Sequence, residues 1–208
     1  MTETHTEHYR RDDGRAIELT SAEPDNVVRG GLVVLHEVGG VTDGVRLLIS
    51  SLAAEGWLAV APHIEGDPSA DGVLAATDIA LAWLVDRGVQ ADLLGVVGFD
   101  MGGTAALLVA ANRKLGAAVS VGGQGVAEKP GLVEIARELV SPWLGLYGDA
   151  GDELSAAEVE KLREAAAGSR VATNVVRYAG ANHRFDADPG AAVEAWQRTL
   201  SWFDAHLR

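Results

Sequence analysis

Short apolar runs alternate along this chain with longer stretches in which apolar positions recur every three or four residues. The runs at 31–35, 57–61, 93–97, 117–121, 143–147 and 171–178 are rich in Val, Leu and Ala, the pattern of strands buried on both faces. The stretches at 44–54, 70–86, 104–111, 156–167 and 189–206 carry the helical period, and a shorter helix fits within 130–139. Asp43 is placed to cap the first helix, Gly56 and Gly88 to close the first two, and Pro62 to stop a strand. Residues 15–19 alternate apolar with polar and predict an edge strand. Residues 1–9 are polar and are expected to be poorly ordered, which leaves a tail over 1–14 and one domain over 15–208. Strand and helix in alternation predict an α/β fold, a mostly parallel, doubly wound sheet with helices on both faces.

Composition narrows the function more than the fold. The 208 residues suffice for one core, and 48% hydrophobic with 23% charged residues is the balance of a soluble globular domain. A formal net charge of −13 argues against nucleic acid or an anionic membrane as partner, since phosphate is bound by basic surfaces. There is no cysteine, so disulfides and thiolate metal sites are excluded. No signal-peptide pattern opens the chain and no apolar stretch has the length of a membrane span, so a cytoplasmic protein is expected. Oligomeric state is not legible.

In a doubly wound sheet, functional residues gather at the carboxyl ends of the strands. The loops there offer Glu37, His63 and Glu65, Asp100, Gln124, Asp149 and Asp152, and His183. Asp100 stands in Gly98-Phe99-Asp100-Met101-Gly102-Gly103, between an apolar run and a small-residue helix, where flanking glycines permit a sharp, strained turn. That is the pattern of the nucleophile elbow of α/β-hydrolases, G-x-S-x-G, with aspartate in the central place. His183 follows the last strand, and a nucleophile, then an acid, then a histidine is the chain order of those enzymes. His36 and His63 read equally well as structural loop residues. No pair of histidines has zinc spacing, and neither metal nor cofactor is expected.

Four stretches together resemble the dienelactone hydrolase family. Val34-Leu35-His36-Glu37-Val38-Gly39-Gly40 is similar to its loop carrying a glutamate, and Val97 to Gly103 to its elbow, usually G-x-C-x-G-G. Pro142 to Asp149 is similar to the strand leading to its acid, and Ala181-Asn182-His183-Arg184-Phe185 to its histidine loop. The resemblance implies an α/β-hydrolase fold without a large cap, with Asp100, His183, Asp152 and Glu37 at a catalytic site and an oxyanion hole formed by the N–H groups of Met101 and Val38. It departs at two places. Asp100 replaces the family's cysteine, and an ungapped reading puts Gly151 at the family's acid, between Asp149 and Asp152. The arginines that hold a dienelactone carboxylate have no counterpart in register, so a neutral small-molecule substrate is expected.

Three functions fit an aspartate at the elbow. The first is hydrolysis of a small ester or lactone, with His183 as base and Asp100 as nucleophile or as general base on water. The second is a silent family member that binds a small ligand or partner, with Asp100 only capping the next helix. The third is attack by Asp100 on a carbon–halogen or epoxide carbon, as in other α/β-hydrolases.

Overall fold

A computed structural model describes residues 2–36, 39–64, 69–123, 131–150, 154–183, 185 and 187–208. Eight strands form one sheet: β1 (His5–Arg10), β2 (Ala16–Ala22), β3 (Gly30–Leu35), β4 (Trp57–Pro62), β5 (Leu94–Phe99), β6 (Ala117–Val121), β7 (Trp143–Gly148) and β8 (Thr173–Tyr178). Their order is β1-β2-β4-β3-β5-β6-β7-β8, antiparallel in the β1–β2 and β2–β4 pairs and parallel in the rest. Among the described residues six α-helices flank the sheet: α1 (Asp43–Ala54), α2 (Ala70–Asp86), α3 (Met101–Asn112), α4 (Leu132–Ala136), α5 (Ala156–Ala167) and α6 (Pro189–His206). This is the α/β-hydrolase fold that the alternation and the elbow predict, with no large insertion among the described residues.

The period of two along each strand divides the core. Val33, Leu35 and Val96 face Trp83, Leu84, Leu107, Val159 and Leu162 of α2, α3 and α5. Leu32, Val34 and Val97 face Ile49 and Leu52 of α1 and Ala195 and Phe203 of α6. A one-residue slip in any central strand would exchange these sets, so both cores fix the register that carries the loops. Trp196 and Trp202 of the closing helix α6 pack against the second core.

Three local expectations are corrected. Residues 5–10 are not a loose tail but β1, paired with β2 from His5↔Ser21 to Arg10↔Ala16. Polar groups anchor this strand alongside Tyr9, which packs on the first core, and its other side chains carry no apolar pattern, which is why hydropathy misses it. Glu7 accepts hydrogen bonds from Trp83 Nε1 at 2.9 Å and Arg87 at 2.6 Å, and the Tyr9 hydroxyl donates to Asp86. Thr42, not Asp43, caps α1, accepting from the Val45 N–H, while Asp43 becomes the first helical residue. Helix α3 starts at Met101 instead of 104, because the glycines at 102 and 103 are spent on close packing within the first turn.

The Glu7 anchor is testable. Glu7→Ala leaves the buried Trp83 indole N–H without its acceptor, and urea unfolding should show a loss of roughly 1–2 kcal/mol. Glu7→Gln, which keeps an acceptor, should recover most of it. An unchanged midpoint for Glu7→Ala would show that β1 adds nothing to the fold.

Candidate active site

Asp100 sits at the junction of β5 and α3 with φ 55° and ψ −118°. Among described residues, only Phe185 shares a positive φ without being glycine. Holding an aspartate there costs on the order of 1–3 kcal/mol, which the surroundings must oppose. They do so by hydrogen bonds: the Asp100 N–H donates to Val121 O at 2.8 Å, and Asp100 O accepts from Gly103 N–H at 2.8 Å. The side chain makes no capping bond to α3, so the reading of Asp100 as a simple helix cap is overturned. Its carboxylate is 5% exposed.

Two glycines set the distance between the loops that meet here. A Cβ on Gly102 would lie 2.2 Å from Leu35 O, and one on Gly122 (φ 68°) would lie 2.4 Å from His183 O. Backbone therefore touches backbone on both sides of the elbow: the end of β3 on one, the histidine loop on the other. Ser120, which the sequence reading passed over, ties the same turn to the sheet. Its hydroxyl donates to Gly103 O at 2.7 Å and accepts from Trp143 Nε1 at 2.9 Å.

The histidine loop is fastened at both ends. Gly180 N–H donates to Asp149 Oδ1 at 2.6 Å, and Arg177 donates to Asp149 Oδ2. Ala150 N–H donates to Ala181 O at 3.0 Å. Beyond His183, Phe185 is buried and meets Tyr178 edge to face, ring centroids 5.0 Å apart. His183 is thereby held with Nε2 3.6 Å from Asp100 Oδ2, its side chain one-quarter exposed.

The structure thus brings together Asp100 and His183, and places Met101 as the first residue of α3. The Met101 N–H belongs to the helix turn whose donors have no acceptor within the helix. Glu37, Val38, Asp152, Glu65, Gln124 and Arg184 lie outside the described residues. Asp149, the other candidate acid, has both oxygens committed to Arg177 and Gly180 and serves as a loop anchor. Those bonds, Gly180 first and Arg177 second, hold its carboxyl below the usual carboxylate range.

His36 and His63 have structural partners. His36 Nε2 donates to Pro62 O at 2.9 Å, which fixes a proton on that nitrogen. His63 contacts Thr20 Oγ1 at 2.8 Å and Glu18 at 3.3 Å, and burial lowers its pKa. Among the described residues no group of three or more His, Asp or Glu is arranged to hold a metal ion, and no helix is long and apolar enough to cross a membrane.

The Asp149 anchor has a pH signature. A carboxyl lowered by folding stabilises the protein fully above its unfolded pKa and loses that stabilisation as pH falls through the lower folded value. Thermal melting from pH 6 downward should therefore fall more steeply below about pH 4 in the wild type than in Asp149→Asn. Parallel curves would show that the anchor carries no charge-dependent stability.

Comparison with known proteins agrees with this geometry. The model of the dienelactone hydrolase family matches residues 65–207. A Salmonella typhimurium protein named as a carboxymethylenebutenolidase is 35% identical over 204 residues, covering 83% of this chain and 76% of its own. The carboxymethylenebutenolidase of Rhodococcus opacus is 29% identical over 209 residues, covering 85% and 81%. The crystal structure of a Klebsiella pneumoniae protein named as a dienelactone hydrolase superposes with a TM-score of 0.85 at 30% identity, over 97% of this chain and 99% of that one. Elbow, histidine loop, sheet order and these relatives lead to one conclusion: the chain belongs to the dienelactone hydrolase family of the α/β-hydrolase superfamily.

Proposed function

We propose that this protein hydrolyses a small, neutral ester or lactone through Asp100 and His183. The observation that carries the reading is the contact between His183 Nε2 and Asp100 Oδ2, 3.6 Å apart on a strained elbow where the carboxylate makes no capping bond. A helix cap needs neither the strain nor the histidine. Relatives named for carboxymethylenebutenolidase activity support the same reaction class.

An aspartate changes how the family's machinery runs. Attack of a carboxylate on an ester carbonyl would give an anhydride, a less stable acyl carrier than the thioester a cysteine forms. In our reading Asp100 is instead a general base on water. It takes one proton from the water as the oxygen bonds to the carbonyl carbon. The Met101 N–H, with Val38 as its expected companion, receives the developing oxyanion. Collapse breaks the bond to the leaving oxygen, which takes a proton from His183. The proton on Asp100 then returns to His183, which acts there as base, and acid, alcohol and resting enzyme result.

Aryl acetates and simple lactones test this reading. Asp100→Ala and His183→Ala should each lower kcat by about 10²–10⁴-fold, and equal rates in all three proteins would refute it. One turnover in heavy-oxygen water should leave the Asp100 carboxylate unlabelled. Label there would assign covalent catalysis and turn attention to carbon–halogen or epoxide substrates. Asp100→Cys should raise esterase activity, since the surrounding turn is already that of the family's elbow. A ligand that raises the melting temperature without any turnover would favour the silent binding member.

A further inference from the structure

Among the described residues, two spaces of different size border the elbow. Beside His183, between Gly122, Tyr147 and Leu154, there is about 10 Å³, no more than one water needs. On the side of β3 and α1 a half-open cleft of about 500 Å³ runs between His36, Gly39 and Gly40, the first half of α1 and Phe99. Its wall is mainly Val34, Leu35, Val45, Leu48 and Phe99, and no Lys, Arg, Asp or Glu is among the described residues lining it. Two of its lining residues adjoin the elbow. Phe99 directly precedes Asp100, and the Leu35 carbonyl packs on Gly102 in the first turn of α3.

Polar groups within the cleft are partly spoken for. The Thr42 hydroxyl caps α1 and the His36 Nε2 proton is on Pro62 O. A carboxylate seated among these side chains would lose its water and find no Lys or Arg among the described lining residues, in a protein whose net charge is already −13. An aliphatic or aryl chain would gain by burial there. At about 30 Å³ per small group, the half-open cleft has room for on the order of ten non-hydrogen atoms.

We propose that the cleft between α1 and Phe99 is the acyl-chain subsite, and that the substrate class is esters or lactones with an uncharged hydrocarbon chain of medium length. This rests on the hydrolytic reading above, and binding and turnover are therefore measured separately. Leu48, on the inner side of α1 and outside the catalytic set, is the residue that sets the length of chain accepted.

For turnover, 4-nitrophenyl esters from acetate to octanoate are compared with the half-ester of succinate. Burial of one methylene is worth about fourfold, so kcat/KM should rise on the order of a hundredfold from acetate to hexanoate and then level off. The succinate half-ester should fall below butanoate. Leu48→Trp, which fills the cleft, should keep acetate hydrolysis within about twofold and lose at least tenfold on hexanoate. A flat series, or preference for the half-ester, overturns the proposal while leaving hydrolysis intact.

For binding, 2-octanone should raise the melting temperature of the wild type but not of Leu48→Trp, and sodium octanoate should raise neither. Val45→Phe replaces Leu48→Trp if the latter melts early without ligand. If no ester is turned over, hydrolysis fails and the binding arm alone decides the subsite: no shift with 2-octanone overturns it.

Discussion

The site depends on backbone packed directly against backbone at the first turn of α3. Gly102 lies under the Leu35 carbonyl and Gly122 under that of His183, each at a distance that excludes a Cβ. These two contacts draw the ends of β3, β5 and β6 and the histidine loop to one point. They also oppose the cost of the positive φ at Asp100, since the turn cannot relax without breaking both. Sheet register, maintained by a core on each face, delivers the strand ends to that point. Strain at the elbow is therefore a property of the whole sheet, expressed at one residue.

Within that frame the chemistry is decided by charge. A carboxylate cannot match a thiolate as a carrier of acyl groups, but in a turn that buries it beside an imidazole it is well placed to handle protons. In the proposed reaction the elbow is kept while the bond-making atom is shifted from the protein to water. The proposed acyl-chain cleft beside Phe99 follows the same logic, because a mainly apolar wall near a buried carboxylate suits an uncharged partner and opposes a second anion.

Much of this was legible in the sequence. Alternation of apolar runs with helical periods gave the sheet, and helices α2, α5 and α6 have the bounds the periodicity predicts, because their faces are set by burial. The elbow was legible because glycines flanked one polar residue at a strand-to-helix junction. What stayed hidden rests on hydrogen bonds between residues far apart in the chain. Strand β1 is held to α2 by Glu7, 76 residues from Trp83, and hydropathy carries no trace of that. Ser120 looks like a small polar residue in a strand until Trp143 and Gly103 are seen on either side of it. Propensity puts the start of α3 too late because glycine lowers helix propensity, while tertiary packing demands it here.

The two aspartates after β7 show how far a motif alone can be carried. Asp149 and Asp152 flank Gly151, and in sequence either is a candidate partner for His183. Asp152 lies outside the described residues, while Asp149 directly follows β7, where its carboxylate meets Arg177 on the neighbouring strand and the Gly180 N–H at the base of the histidine loop. A carboxylate bound in that way orients the loop and not the imidazole. Its influence on His183 is thus transmitted through the backbone from Gly180 to Ala181, which Ala150 also holds. A positioning role of this kind requires an ionised aspartate next to an arginine, and that pair lies just before Gly151, where an ungapped reading puts the family's acid.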